Sequence, residues 1–508
     1  MTDMTPRPDP ALGLTPQRAE DANQWRTLDR DLKRVSRLEY ATMHISRPLV
    51  GVGISLCFIV LAGLAALLIA GQSSGTVFIV VAAAFGAYMA LNIGANDVAN
   101  NMGPAVGAQA LPMVGAIAIA AVCESAGALI AGGDVVSTIS KSIIDPASVA
   151  TRSVFVTAMM SALLSAAIWV NIATWMSAPV STTHAVVGGV LGAGVAAAGM
   201  TAVNWPTMAA IAASWVVSPL IGGGIAAVML AFIKWRIIYC EDKIAAARVW
   251  TPVLIGLMAG AFGAYLALKG FSRIADIGIG LALLIGAGAG AVSYLLAVPL
   301  IRRQSAGLEN RNRSLKRLFA LPLVLSAALL SFAHGANDVA NAVGPLAAIV
   351  HVQQTGDIAG KVSLPLWVML IGAFGISFGL VLFGPRLIRM VGSQITKLNP
   401  MRAYCVSLSA AVTVILASWL GLPVSSTHIA VGGIFGVGLY REWFMERRAR
   451  RISEARAPGK RLATEERRRR KLVRRSHFMT IVAAWVITVP ASALLSAGLF
   501  LLLGVLIG

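Results

Sequence analysis

The sequence predicts an all-α polytopic membrane protein, with about twelve transmembrane helices in two inverted repeats and broken or re-entrant helices at the midplane. Three observations predict it. The chain has 508 residues, 57% hydrophobic and 13% charged, with a mean hydropathy of +0.77. That is more apolar surface than one soluble core can hide. A polar heptapeptide, Gly94-Ala95-Asn96-Asp97-Val98-Ala99-Asn100, returns 241 residues later as Gly335-Ala336-Asn337-Asp338-Val339-Ala340-Asn341, and both copies run on to Gly-Pro (Gly103-Pro104 and Gly344-Pro345). Finally, Lys and Arg gather on loops that give the two copies opposite orientation under the positive-inside rule.

Taken in order, residues 1–48 form a polar tail with eight Lys/Arg against seven Asp/Glu. The tail has no apolar core of a secretory signal and reads as cytoplasmic, with Arg26 to Arg37 as a short surface helix. The first transmembrane repeat is placed at 49–233, opening with a span at 49–71, since about 20 residues cross a ~30 Å hydrocarbon layer. Further apolar segments lie near 76–111, 113–131, 153–175, 181–200 and 207–233. A linking segment with one span occupies 234–273. The second repeat is placed at 274–440, with segments near 274–300, 319–352, 364–386, 403–420 and 428–440. The 76–111 and 319–352 segments exceed one ideal span and are expected to break at the repeated motif, while 428–440 is too short to cross alone. A basic cytoplasmic loop at 441–476 and a final span at 477–508 complete the chain.

Positive residues collect at 234–248, 302–317 and 386–402, whereas 72–75, 132–152, 201–206 and 353–363 carry few or none. The first set is assigned to the cytoplasm and the second to the outside. The loop at 441–476 holds fifteen Lys/Arg and five Asp/Glu, half of the formal +20 net charge. Between membrane spans, its expected partner is anionic lipid headgroups rather than nucleic acid. The four cysteines have neither CxxC nor metal spacing.

A second motif also occurs twice. Trp175-Met176-Ser177-Ala178-Pro179-Val180-Ser181-Thr182-Thr183-His184 is matched 244 residues later by Trp419-Leu420-Gly421-Leu422-Pro423-Val424-Ser425-Ser426-Thr427-His428. Proline ends one helix and Ser/Thr caps the next, so each copy is a built-in break. A half-helix presents unpaired N–H groups and partial positive charge to an anion, while carboxylates nearby suit a cation. Interrupted helices at matching places in two inverted repeats point to a secondary transporter with its site at the repeat interface. Neither motif contains Lys or Arg. A tetrahedral oxyanion would be held by helix N-termini, by Ser, Thr and Asn donors, and by a cation bound to the carboxylates. Solute and cation then each need the other.

The paired GANDVAN…GP and PVSxTH motifs resemble the inorganic phosphate transporter family, the PiT-type phosphate permeases, over roughly 76–200 and 319–440. The resemblance implies symport of inorganic phosphate with H⁺ or Na⁺, no cofactor beyond that coupling cation, and often a homodimer. The expected location is a bacterial inner (cytoplasmic) membrane with the N-terminus cytoplasmic. Some members carry sulfate or a metal–phosphate complex instead. Departures are Asn101, opposite the small Ala342, and Met390, where relatives tend to have Thr.

Asp97 and Asp338 are the first candidates for cation or proton coupling, as Na⁺ ligands if Na⁺ is the ion, joined by Asn100 and Asn341. Asn96, Asn337, Ser181, Thr182, Thr183, Ser425, Ser426 and Thr427 are candidate substrate donors, with capping as the alternative for the hydroxyls. His184 and His428 bond the anion or tether a helix. Glu124, opposite Ile376, is a proton site or a helix-pairing residue. His334 ranks lower because Ile93 stands opposite it. Trp175 and Trp419 are read as packing residues. Two rival classes are a phosphate sensor and an intramembrane aspartyl protease. The latter would need a Gly-x-Gly-Asp turn, and Asn96 and Asn337 stand where its second glycine belongs. The chain is therefore not expected to be an enzyme.

Overall fold

The computed structural model describes residues 49–71, 75–145, 148–176, 178, 180–270, 277–358, 362, 364–394, 398–456 and 475–507. The tail with its expected helix at 26–37, residues 457–474 of the basic loop, Ser177, Pro179 and the Met390 side chain lie outside the described residues. Described secondary structure is helical, apart from one isolated β-bridge between Ile144 and Val203.

The first half holds α1 (Leu49–Ala70), α2 (Thr76–Gly107), α3 (Met113–Ala131), the short α4 (Gly133–Ser137), α5 (Arg152–Trp175), α6 (Thr182–Ala198) and α7 (Trp205–Ile233). Then come α8 (Lys243–Lys269) and α9 (Ile279–Gln304), followed by the short α10 (Asn312–Leu318), α11 (Ala320–Thr355), α12 (Leu366–Gln394), α13 (Pro400–Trp419), α14 (Ser426–Arg456) and α15 (Arg475–Ile507). Eleven of these are long and apolar enough to cross a membrane, and the protein is an integral membrane protein. The apolar stretch at 428–440 is the start of α14, whose helix runs on to Arg456. The first part of the expected basic loop is therefore helical.

The helices carrying the heptapeptide are long: 32 residues in α2 and 36 in α11, or about 48 and 54 Å at 1.5 Å per residue. The expected break at the motif is absent, and both copies are helical throughout. Their glycines serve close approach instead of unwinding. A Cβ at Gly94 would strike the Ile376 carbonyl oxygen, and one at Gly335 would strike that of Glu124. Reciprocally, a Cβ at Gly379 would meet Leu91 O, and one at Gly127 would meet Phe332 O. Positions 94/335 and 91/332 are 241 residues apart, and 127/379 and 124/376 are 252 apart. The crossing of α2 on α12 is thus repeated by α11 on α3. Small residues at such crossings let backbones pack closely where lipid offers no hydrophobic drive.

The second motif does break the chain. After Trp175 and Trp419, matched bonds close each turn: Ala178 N–H to Ala173 O at 2.8 Å and Leu422 N–H to Ala417 O at 3.0 Å. Ser181 Oγ then accepts from His184 N at 3.1 Å, and Ser425 Oγ accepts from His428 N at 3.3 Å. These are N-caps, each satisfying a donor with no partner inside the helix. The apolar helix α6 has 17 residues, about 25 Å, too short to cross a ~30 Å layer. It packs on α15 as α14 packs on α7. A Cβ at Gly188 or Gly192 would meet Val489 O or Ala493 O, and one at Gly432 or Gly436 would meet Pro219 O or Gly223 O. In the second half, α15 therefore takes the place that α7 takes in the first.

The ends of the two long helices differ in one respect. α11 stops at Gly356, with φ +73°. α2 stops in a Schellman turn, with Ala110 N–H to Ala105 O at 3.0 Å and Gln109 N–H to Val106 O at 2.9 Å. Its left-handed position is taken by Gln109, at φ +58°, the one non-glycine with positive φ among the described residues. A side chain there costs about 1–2 kcal/mol that glycine avoids.

Candidate functional site

The two breaks bring the first turns of α6 and α14 against the aspartates of α2 and α11. Thr182 Oγ1 donates to Asp97 Oδ2 at 2.9 Å, and its counterpart Ser426 Oγ donates to Asp338 Oδ2 at 3.1 Å. These two bonds lie within their own repeats. Another matched pair crosses between repeats: Asn100 Nδ2 donates to Thr427 Oγ1 at 2.8 Å, and Asn341 Nδ2 donates to Thr183 Oγ1 at 3.2 Å. Thr427 Oγ1 in turn donates to Asp97 Oδ1 at 3.1 Å, and Thr183 Oγ1 to Val424 O at 3.1 Å. Asn341 Nδ2 also reaches Thr182 Oγ1 at 3.4 Å, so six of the predicted residues form one hydrogen-bonded body with the Asp338–Ser426 pair beside it, and helix N-terminal charge faces the carboxylates.

At its centre sits His334, which the repeat comparison ranks low. His334 Nε2 is 2.7 Å from Asp338 Oδ2 and 3.7 Å from Asp97 Oδ2, while its Nδ1 is 3.3 Å from Glu124 Oε2. Asn101 Nδ2 donates to Glu124 Oε1 at 2.8 Å. Three polar residues without polar twins (opposite Ile93, Ala342 and Ile376) therefore form a single chain ending on the aspartate pair. The missed signal was local: His334 and Asp338 are four residues apart on one helix and so share a face.

Asn96 and Asn337 are not equivalent in this structure. The Asn96 amide meets Thr174 Oγ1 at 2.9 Å. Thr174 is a residue that the motif reading did not single out, and Ser418 stands at its place in the other half. Neither polar atom of the Asn337 amide has a hydrogen-bond partner among the described residues, nor do Asp338 Oδ1 and Asn341 Oδ1. Orphaned buried polar atoms cost about 1–3 kcal/mol each and call for a partner.

Other candidates lie apart from this cluster. His184 and His428 meet edge to face at 4.4 Å, and each lies against a tryptophan, Trp215 at 3.8 Å and Trp485 at 3.6 Å. The two histidines thus pair with each other across the repeat axis, and no hydrogen bond joins either ring to the aspartates among the described residues. Trp175 and Trp419 are 77% and 53% exposed. The packing role expected for them is corrected, and their place at helix ends suits an interfacial aromatic belt.

Burial decides what the cluster demands. Asp97 and Asp338 are 1% exposed, and Glu124 and His334 are 0% exposed. Three carboxylates face one imidazole, and no Lys or Arg enters the hydrogen-bonded set. Buried charge is tolerated only when paired. Ligand atoms of Asp97, His334 and Asp338 all lie within 4.8 Å of one another, close enough to share one cation. Carboxylate and hydroxyl oxygens are the ligands that hard cations prefer. An anion beside these groups, in turn, requires a cation or a proton.

Comparison with known proteins places this geometry in context. The profile of the phosphate transporter family matches residues 93–496. A putative phosphate permease of Helicobacter pylori is 43% identical, over 93% of this chain and 99% of that protein. The chloroplastic inorganic phosphate transporter 2-1 of Arabidopsis thaliana is 36% identical, over 81% of this chain and 70% of its own length. A solved structure described as the sodium-dependent phosphate transporter superposes with a TM-score of 0.76 at 34% identity, covering 84% of this chain and 99% of its own.

Proposed function

Because the chain belongs to the phosphate transporter family, we propose that it is a secondary transporter that carries inorganic phosphate together with a cation, H⁺ or Na⁺, across the bacterial inner membrane. The observation that carries this reading is the buried cluster at the repeat interface. Carboxylates from both halves are bonded by hydroxyls at two helix N-termini, and Asn337, Asn341 and Asp338 still hold unsatisfied polar atoms. In this reading Asp97 and Asp338 take the cation. Asn337 and the hydroxyls of Thr182, Thr183, Ser426 and Thr427 take the oxyanion, and Ser181 and Ser425 hold the two half-helices in place. Cation and anion bind together because either alone leaves buried charge uncompensated.

Selectivity follows from the same carboxylates. Phosphate near neutral pH keeps a P–OH that a carboxylate can accept, whereas sulfate has no proton to offer and would set lone pairs against it. Sites built to bond a substrate OH reject the analogue that lacks it. The expected preference for phosphate over sulfate is at least ~30-fold, roughly 2 kcal/mol, with arsenate competing well. Uptake of radiolabelled phosphate into proteoliposomes tests this, with Na⁺ and pH gradients imposed separately and both anions as competitors. Uptake driven by neither gradient, or sulfate competing as strongly as arsenate, would overturn the reading.

A further inference from the structure

A cavity of about 730 Å³ lies between the end of α2, the ends of α9 and α10, and the starts of α11 and α13, on the face that the charge pattern assigns to the cytoplasm. Its polar lining is Gln109, Gln304, Lys316, Arg317, Asn399 and Arg402, and no carboxylate lines it. Its volume falls within the range of small-ligand sites. Ten residues of helix separate Asp97 from Gly107 on its wall, about 15 Å at 1.5 Å per residue. The cavity is thus a place apart from the aspartate cluster.

The positive-inside rule by itself would put cations on this face, as solvated side chains. Three features go beyond it. First, the cations converge on a hollow, and among the described residues none of Lys316, Arg317 and Arg402 is paired with a carboxylate. Second, Arg402 is half-buried and fixed, because Asn399 Oδ1 caps α13 by accepting from Arg402 N at 3.0 Å and also accepts from Arg402 Nε at 3.1 Å. The bond at Nε leaves the two terminal nitrogens of the guanidinium fork for another acceptor. Third, the left-handed position closing α2 carries Gln109, itself a lining residue of the cavity, where glycine would be easier. An off-minimum backbone held at the rim of a hollow points from strain towards a role.

We propose that this cavity is a second site, on the cytoplasmic face, for a phosphoryl anion. Three cations with amide donors match an oxyanion carrying more than one charge, and guanidinium suits phosphoryl oxygens in particular. The same chemistry is offered by inorganic phosphate and by the headgroup of an anionic phospholipid. Where the occupant is inorganic phosphate, the site would sense the product of transport, and that consequence alone rests on the function proposed above.

The test uses the full-length protein with its four cysteines replaced, a reporter Ala108→Cys on the cavity wall, and Asp97→Asn to remove the transport site from the readout. The rate of thiol modification is measured in delipidated detergent, in neutral-lipid nanodiscs and in phosphatidylglycerol nanodiscs, each with inorganic phosphate or with chloride at matched ionic strength. At fourfold excess over Kd, occupancy slows modification roughly fivefold. Protection by phosphate but not by chloride, lost in Lys316→Gln and in Arg317→Gln, supports the site with phosphate as occupant. Protection by phosphatidylglycerol alone, lost in the same variants, supports it with a headgroup as occupant. No protection in any arm, or equal protection by chloride, overturns it. Phosphate uptake by the Lys316→Gln protein, measured separately, shows whether the transport reading stands when this one fails. Lys316 and Arg317 are exposed on α10, so their substitution leaves folding intact.

Discussion

At the scale of single residues, the aspartates carry the charge logic and His334 with Glu124 sets its balance. Asp97→Asn and Asp338→Asn keep an acceptor oxygen for Thr182 or Ser426 and remove only the charge. Each is expected to lower phosphate uptake at least ~100-fold, the scale of losing a charged contact worth about 3 kcal/mol, with normal expression and monodispersity. Near-normal uptake in either would remove that carboxylate from coupling. Glu124 and His334, 3.3 Å apart and fully buried, should behave as a unit. Glu124→Ile or His334→Ile alone strands a buried polar partner at about 1–3 kcal/mol, while the double substitution, which copies the Ile93/Ile376 pair of the other half, costs far less than the sum. Thermal unfolding in detergent measures it, and additive shifts would show that the two do not interact. The aspartates, the hydroxyls and the asparagines of this cluster were legible because each has a twin in the repeat. His334 and Asn101 were not, because a method built on matching the halves discounts whatever occurs in one half only, and Thr174, matched by Ser418, sits one residue before the repeated motif begins.

At the scale of elements, the breaks at Ser181 and Ser425 could be read from proline followed by a capping hydroxyl, since that chemistry is local. The continuity of α2 and α11 through their motifs could not. Gly94 and Gly335 look like helix breakers until the backbones facing them are known, and those belong to α12 and α3, far along the chain. Gly335→Ala should therefore destabilise the fold. Its Cβ meets the Glu124 backbone, and the helices must move apart. Gly280→Ala on α9 meets nothing within 4 Å and should be neutral or stabilising by about 0.5–1 kcal/mol through helix propensity alone. Folded yield and detergent melting temperature separate the two. Equal tolerance would mean that the α3–α11 crossing yields more readily than its geometry suggests.

At the scale of the whole molecule, composition was enough for the class. The fold adds reciprocity: the α2–α12 crossing has its copy in α11–α3, and the α6–α15 crossing in α14–α7. The charge pattern predicts that a cysteine at Asp357 is labelled by an impermeant reagent from outside and that one at Asn310 is not. The reverse result would invert the orientation and move the basic cavity to the opposite face.

The three unmatched polar residues bear on the resting state of the gate. Were the two halves identical, trading their conformations would convert an outward-open molecule into an inward-open one of the same energy, and both would be equally populated. His334, Glu124 and Asn101, facing Ile93, Ile376 and Ala342 in the register of the repeats, lift that degeneracy. The polar chain would have one surrounding when its own half is closed and another when the opposite half is. A difference of only about 1.4 kcal/mol between those surroundings tilts the populations tenfold. Under the transport proposed above, the side that the empty carrier prefers to face is open to bias where the two halves of the sequence stop agreeing.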